Sequence, residues 1–285
     1  MYAELHAWSN FTFLDGASHP EELVDRAADL GLAAVALTDR DGLYGMVRFA
    51  ARAKERDIPG IVGSELTFED GARIVLLVER AAGYGNLCEL ISLAQLRGAK
   101  GDARLRLEDL TGRCDGLIAL SGGAEGRAER ALARGEPERA EHELRTLKTA
   151  FGDRLYVELQ HHLTAVDAGR NERMAALAAR LGIACVATNG VVYAVKDDAR
   201  LSDILTCVRH GTTIDAAHED HLLRPNAEFH LKAARAMRRL FVRYPDAVAR
   251  SVEIARRCSF RLERITGQFP LFPVEDGKTR QSYLR

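Results

Sequence analysis

Cysteine is sparse and shows no pairing pattern. Cys88, Cys114, Cys185, Cys207 and Cys258 are five in number, odd and widely spaced, without a CxxC pair. This argues against a disulfide framework and a thiolate zinc site, and for a reducing, cytoplasmic compartment. An excess of one charge is missing too: 40 Lys and Arg stand against 41 Asp and Glu, a formal charge of -1. That removes the simplest argument for nucleic-acid binding, a strongly basic domain. No apolar run approaches the roughly 18 to 20 residues of a membrane-spanning helix. The opening Met1-Tyr2-Ala3-Glu4-Leu5-His6 is not a basic-then-apolar leader, so neither a membrane span nor export is expected. Low-complexity tracts and short-period repeats are absent. What remains, 47% hydrophobic and 28% charged over 285 residues, is an ordinary globular composition able to fill one large domain or two smaller ones.

Short apolar runs alternate with amphipathic stretches. Candidate strands are Tyr2–Ala7, Ala33–Leu37, Ile58–Val62, Arg73–Val78, Gly116–Leu120, Leu155–Leu159 and Ile183–Ala187. Between them, Pro20–Leu30 places Leu23, Val24, Ala27 and Leu30 on one helical face, and Glu172–Leu181 does the same with Met174, Leu177, Ala178 and Leu181. Such alternation implies parallel strands with right-handed crossovers, and seven strands suit a closed or nearly closed barrel. From about Lys196 helices dominate, over Ala199–Arg209, Ala233–Tyr244 and Pro245–Cys258. Pro270 and Pro273 then mark an extended linker, and the ending Gln281-Ser282-Tyr283-Leu284-Arg285 reads as cut rather than finished.

In a parallel barrel, reactive groups collect at the C-terminal ends of strands. Those ends carry Glu4, His6 and Trp8; Thr38-Asp39-Arg40; Gly63-Ser64-Glu65; Ser121-Gly122-Gly123; Glu158, Gln160 and His161; and Thr188-Asn189-Gly190. Glu4 and His6 are two apart and share a strand face, where a carboxylate and an imidazole can ligate a metal or simply end a strand.

The stretch Glu4-Leu5-His6-Ala7-Trp8-Ser9-Asn10-Phe11-Thr12-Phe13-Leu14-Asp15-Gly16-Ala17-Ser18 resembles the opening of the PHP (polymerase and histidinol phosphatase) domain of bacterial DNA polymerase III alpha subunits, nearest the error-prone branch. Further stretches follow in that family's order: Ala36-Leu37-Thr38-Asp39-Arg40-Asp41-Gly42, Ile61-Val62-Gly63-Ser64-Glu65, Gly83-Tyr84-Gly85-Asn86, Leu155-Tyr156-Val157-Glu158, Ala187-Thr188-Asn189-Gly190 and Gln268-Phe269-Pro270. The resemblance implies an α/β fold, a distorted seven-stranded (β/α) barrel of PHP type with a helical C-terminal extension. It divides the chain into a PHP domain over 1–265, with a β/α core to about 195 and a helix-rich part over 196–265. Residues 266–285 become a linker toward a polymerase palm.

Metal-competent members of that family resemble one another in a cluster of up to three divalent ions held by His, Asp and Glu, suited to phosphatase or 3′–5′ exonuclease chemistry. Against that pattern His6 is the second His of a His-x-His motif, and Glu4 stands at the first. Asp15 and Glu65 match an aspartate and a bridging glutamate. Trp8 occupies a position where many members have His, Arg40 replaces the His of Thr-Asp-His, and Gly190 and Val192 replace the ligands of Asn-Asp-x-His. With four positions lost, the cluster is not expected to assemble. Arg40, permanently charged, is expected to stand in for the metal by pairing with Glu4 or Glu65; the alternative is an Arg pointing to solvent. No metal is therefore expected in this chain; if any ion binds, His6 and Glu65 are its ligands, while Mg²⁺ belongs to the palm.

The remaining candidates carry weaker signals. His161-His162 can present only one ring inward. His218-Glu219-Asp220-His221 reads as a solvated turn, and Ser121-Gly122-Gly123, outside any P-loop or GxGxxG context, as a barrel loop rather than a phosphate cradle. Arg235, Arg238, Arg239 and Arg243 form a solvated face or contact template phosphates or the palm. The function so implied is that of a non-catalytic scaffold in an error-prone DNA polymerase serving DNA repair and damage-induced mutagenesis. Its partners would be the palm, a DNA template-primer and mutasome or replication proteins. The competing reading is a phosphoesterase using His6, Glu4, Asp15 and Glu65 around Mn²⁺ or Zn²⁺, with His161 assisting.

Overall fold

The computed structural model describes residues 1–99, 101–262 and 281. Most of the linker expected at 266–285 lies outside the described residues. The elements run in the order α1 (Pro20–Asp29), β1 (Val35–Leu37), α2 (Met46–Glu55), β2 (Gly60–Thr67), β3 (Arg73–Val78) and α3 (Ala81–Arg97). They continue with β4 (Leu117–Leu120), α4 (Arg127–Ala133), α5 (Pro137–Phe151), β5 (Leu155–Gln160), α6 (Asp167–Leu181) and β6 (Ala184–Thr188). Among the described residues these are followed by α7 (Ala199–His210), α8 (Ile214–Glu219), α9 (Ala234–Leu240) and α10 (Pro245–Arg257).

Among the described residues the strands form one curled six-stranded sheet, β1 to β6 in chain order. Six of the seven expected segments are strands of it. The remaining one, Tyr2–Ala7, bridges its two edges: the Ala36 amide donates to the Glu4 carbonyl at 2.8 Å, and the Val191 amide to the His6 carbonyl at 2.8 Å. The isolated pairs Glu4 with Val35 and Ala7 with Val191 are parallel.

The all-parallel expectation fails at β3, which is antiparallel to both β2 and β4. The cause is local. No helix separates β2 from β3; the Phe68 amide donates to the Ala72 carbonyl at 2.8 Å across a tight turn in which Gly71 takes a φ of 75°. A turn that short can only reverse the chain. β2 also runs to Thr67, so Glu65 sits within a strand rather than after one.

The β3 side chains show how both faces of the sheet are covered. Ile74, Leu76 and Val78 pack among the helices with Leu87, Leu90 and Leu117. Val75 and Leu77 point the other way, into a cluster with Leu5, Ala36, Ile118, Leu120 and Ile254 of α10. α10 thus reaches the inner cluster through Ile254 while Ala247 and Val248 of the same helix pack in the outer one, and the Ser251 hydroxyl accepts a hydrogen bond from the Ala3 amide at 3.1 Å. No helix among the described residues is long and apolar enough to cross a membrane.

Candidate functional site

A pocket of about 430 Å³ opens where the Tyr2–Ala7 segment, β2, β3, β5 and the loops after β1 and β6 meet. Its wall includes His6, Trp8, Asp15, Arg40, Glu65 and Gly190 together with Gly122, Gln160 and His162, so nine of the positions singled out in the sequence converge here.

Asp39 shapes the approach. Buried, it accepts hydrogen bonds from the Ser9 amide (2.6 Å), the Ser9 hydroxyl (2.7 Å) and the Thr12 hydroxyl (2.8 Å), knotting the loop that carries Asp15. The Arg40 amide in turn donates to the Thr12 hydroxyl at 3.1 Å. Asp15 and Arg40 are thereby presented to each other. Arg40 Nη1 lies 2.7 Å from Asp15 Oδ2, and its Nε 3.3 Å from Glu65 Oε2. The guanidinium carbon sits 4.6 Å from the centre of the Trp8 ring, a cation–π contact. Burial works to raise the Asp15 pKa, but Arg40, Arg209 and Arg224 together hold it below the usual carboxylate range.

His6 sits between two carboxylates, with Nδ1 2.8 Å from Glu158 Oε1 and Nε2 3.4 Å from Glu65 Oε1. Burial opposes its charge, yet Glu158 and Glu65 prevail and raise its pKa to about 10. The two carboxylates favour its charged form. Glu158 also accepts from the Gln160 side-chain Nε2 at 3.0 Å and from the Thr188 hydroxyl.

Glu4 is not brought into the pocket. Its carboxylate takes the Tyr2 hydroxyl at 2.7 Å and the amides of Leu5, His6 and Asn189 at 3.1 Å each. Burial outweighs these donors and raises its pKa to about 7. Of the two partners foreseen for Arg40, Glu65 is the one in contact, and Asp15 is added. Of the histidine pair, His162 rather than His161 lines the pocket. His162 stacks on Phe229 at 3.8 Å, with Nε2 2.7 Å from the Asn189 carbonyl oxygen, and burial lowers its pKa to about 4. His161 instead meets Phe241 edge-on. Gly190 has a φ of 52°, and a Cβ there would come 2.7 Å from the Gln160 side chain. Val192 is buried against Trp8 and Tyr193. The residues His218, Glu219, Asp220 and His221 are exposed, as are Arg235, Arg238, Arg239 and Arg243. Ser121 serves the scaffold, donating to Glu129 at 2.6 Å and accepting from the Glu158 amide at 3.0 Å.

Three arginines escaped the sequence argument. Arg73 begins β3 with Nη1 3.6 Å from Glu65 Oε2. Arg209, at the end of α7, places Nη1 2.6 Å from Asp15 Oδ2, and Arg224, from the loop after α8, places Nη2 3.6 Å from Asp15 Oδ1. No local pattern marks them, because each is an ordinary surface-type residue in its own segment.

These residues do not fit a cluster of divalent ions. The oxygens of Asp15 and Glu65 that a metal would take face guanidinium groups, His6 Nδ1 is taken by Glu158 at 2.8 Å, and Glu4 is engaged elsewhere. Among the described residues no three His, Cys, Asp or Glu are disposed to hold an ion.

Residues 4–162 match the model of the PHP domain family. The chain belongs to the PHP domain family. Along its whole length this PHP chain is 40% identical, over 297 residues, to the error-prone DNA polymerase of Mycobacterium tuberculosis strain H37Rv, of which it covers 27%. It is 41% identical over 286 residues to that of Pseudomonas syringae pv. tomato, of which it covers 26%. It therefore spans about a quarter of the curated relatives, and is homologous to their N-terminal region. Among solved structures, an amidohydrolase from Chromobacterium violaceum aligns with 68% of this chain and 88% of its own, at a TM-score of 0.48 and 21% identity.

Proposed function

We propose that this chain is the PHP module of an error-prone DNA polymerase and serves there as a non-catalytic scaffold. DNA synthesis, with its Mg²⁺, belongs on this reading to a palm domain elsewhere in the polypeptide. The observation that supports it most is the Arg40 guanidinium lying between Asp15 and Glu65, where the family pattern would put a metal. A permanent cation satisfies those carboxylates while repelling a divalent ion. The module takes in residues 1–265, with Tyr2–Ala7 acting as the seventh stave of a PHP-type barrel and 266–285 leading toward the palm. An apolar ridge on α7 supports a partner: Leu201, Ile204 and Val208 are 44%, 52% and 60% exposed, while Ser202 and Thr206 of the same helix are buried. Such an inverted helix suits contact with another domain. The setting is cytoplasmic, with a template-primer and mutasome or replication proteins as further partners.

The competing phosphoesterase reading draws on one feature, the buried His6 Nε2 without a hydrogen-bond partner. Metal analysis of the chain after equilibration with Mn²⁺ or Zn²⁺ separates the two, alongside hydrolysis of a chromogenic phosphate ester. The scaffold reading expects substoichiometric metal and no turnover. Stoichiometric metal with hydrolysis would replace it by the phosphoesterase.

A further inference from the structure

α9 and its flanks concentrate positive charge in a chain that is nearly neutral. From His230 to Tyr244 there is no Asp or Glu, yet this stretch holds Lys232, Arg235, Arg238, Arg239 and Arg243. Lys232 is buried, with its ammonium 3.3 Å from Glu228 Oε2. The arginines lie at the surface. Spaced i, i+3 and i+4, Arg235, Arg238 and Arg239 share one exposed face of α9, while Met237 on the opposite face is buried. Arg243 follows in the turn before α10, and its one carboxylate contact among the described residues is an exposed pair with Glu172 at 3.3 Å. Elsewhere the fold supplies surface arginines with carboxylates from a neighbouring helix: on α2, Arg48 meets Glu21 at 2.6 Å and Arg52 meets Asp25 at 2.8 Å, both on α1. Among the described residues no carboxylate pairs with Arg235, Arg238 or Arg239.

We propose that the outer face of α9 is a docking surface for the phosphate backbone of duplex DNA, remote in function from the pocket. Charge complementarity carries it: guanidinium forks match phosphate oxygens and keep their charge at any working pH. Four residues of helix rise about 6 Å, so Arg235 and Arg239 are set close to the spacing of successive phosphates along one strand. The face lacks the apolar centre by which protein partners are gripped. Val242, 74% exposed, is the single exposed large apolar side chain between residues 230 and 244. No exposed aromatic ring is present there for an unpaired base to stack on, which favours a duplex held by its backbone over a single strand. The proposal deepens the scaffold reading by naming the surface that meets a template-primer, and it rests on that reading for DNA as the source of the phosphates.

The whole chain is titrated, in EDTA, into a fluorescently labelled duplex of two helical turns, and anisotropy is read at several NaCl concentrations. The expected result is saturable binding, with a dissociation constant below about 100 µM at roughly 50 mM salt. The logarithm of the binding constant should fall with that of the salt concentration at a slope of about −3, as three to four phosphate contacts require. Arg238→Gln together with Arg239→Gln should weaken binding about tenfold or more and make the slope shallower by about 2. The same charge change on α2, Arg48→Gln together with Arg52→Gln, should leave the affinity within about twofold. Circular dichroism checks that each variant is folded. The proposal is overturned by no saturable binding at low salt, by a slope shallower than about −1, or by affinity that the folded α9 variant leaves unchanged. It is also overturned if the α2 variant weakens binding as much as the α9 variant does. Poly-glutamate that displaces the duplex as well as unlabelled DNA does would replace it by an acidic protein partner. All these outcomes leave the scaffold reading standing. Stoichiometric metal with phosphoester hydrolysis would overturn that reading and leave the α9 measurement untouched.

Discussion

Replacing Arg40 by Gln removes the cation between Asp15 and Glu65 and keeps much of its volume. At an effective dielectric constant near 20, one guanidinium–carboxylate contact at about 4 Å is worth roughly 4 kcal/mol before desolvation and neighbouring repulsion are counted. Breaking a fully buried pair costs about 3–5 kcal/mol, because the partner is left as an unpaired charge. Neither carboxylate is abandoned here. Asp15 keeps Arg209 at 2.6 Å, and Glu65 keeps His6 at 3.4 Å and Arg73 at 3.6 Å. The substitution also relieves repulsion among the remaining guanidinium groups. Arg40→Gln is therefore expected to cost about 1–2 kcal/mol, of the order of one hydrogen bond to a charged group. Urea denaturation at pH 7 measures this, and the loss should change little between low and high salt because the Arg40 side chain is only 21% exposed. A loss above about 4 kcal/mol would mean that the other arginines do not compensate. A loss below about 0.3 kcal/mol would mean that water serves Asp15 and Glu65 as well as the guanidinium does.

Further outcomes follow from the buried groups. Burial raises the Glu129 pKa to about 8, so the folded chain keeps a proton that an unfolded glutamate releases near its ordinary pKa. Stability then falls as pH rises through that window, by at most about 1.4 kcal/mol per unit. Glu129→Gln should gain about 2–3 kcal/mol on the parent between roughly pH 5.5 and 7.5, and parallel urea titrations of the two would expose an error. His6, with its pKa raised to about 10, contributes stability that is whole below its ordinary pKa and lost as pH climbs toward the folded value. Nitrogen NMR should find it as imidazolium at about pH 8, and a neutral tautomer there would contradict the two-carboxylate clamp. Gly122 has a φ of 97°, and a Cβ would lie 2.2 Å from the Arg73 carbonyl oxygen. Gly122→Ala should cost about 2–3 kcal/mol in thermal or urea melts; a change under about 0.5 kcal/mol would show that the backbone yields freely.

Particular elements show what was legible. The helix expected at Pro20–Leu30 forms over Pro20–Asp29, and that at Ala199–Arg209 over Ala199–His210, since an apolar stripe with local start and stop signals fixes a helix without reference to the rest of the chain. The antiparallel β3 was not legible from strand–helix alternation, because the reversal depends on a short turn rather than on the strands it joins. In the site, Asp15, Arg40 and Glu65 meet although 25 residues separate Arg40 from each of the others. Glu4, two residues from His6, faces elsewhere, since the strand spacing that put them together says nothing of which donors capture a carboxylate.

By itself the sequence determined the α/β alternation, the helices and the family signature, all of which reside in short-range periodicity and in motifs kept in order along the chain. Only the tertiary structure decided which charges face one another. Arg73, Arg209 and Arg224 come from three separate segments, and their pairing energies depend on distance and burial that no local pattern encodes. The electrostatic character of the pocket is for that reason a property of the folded chain.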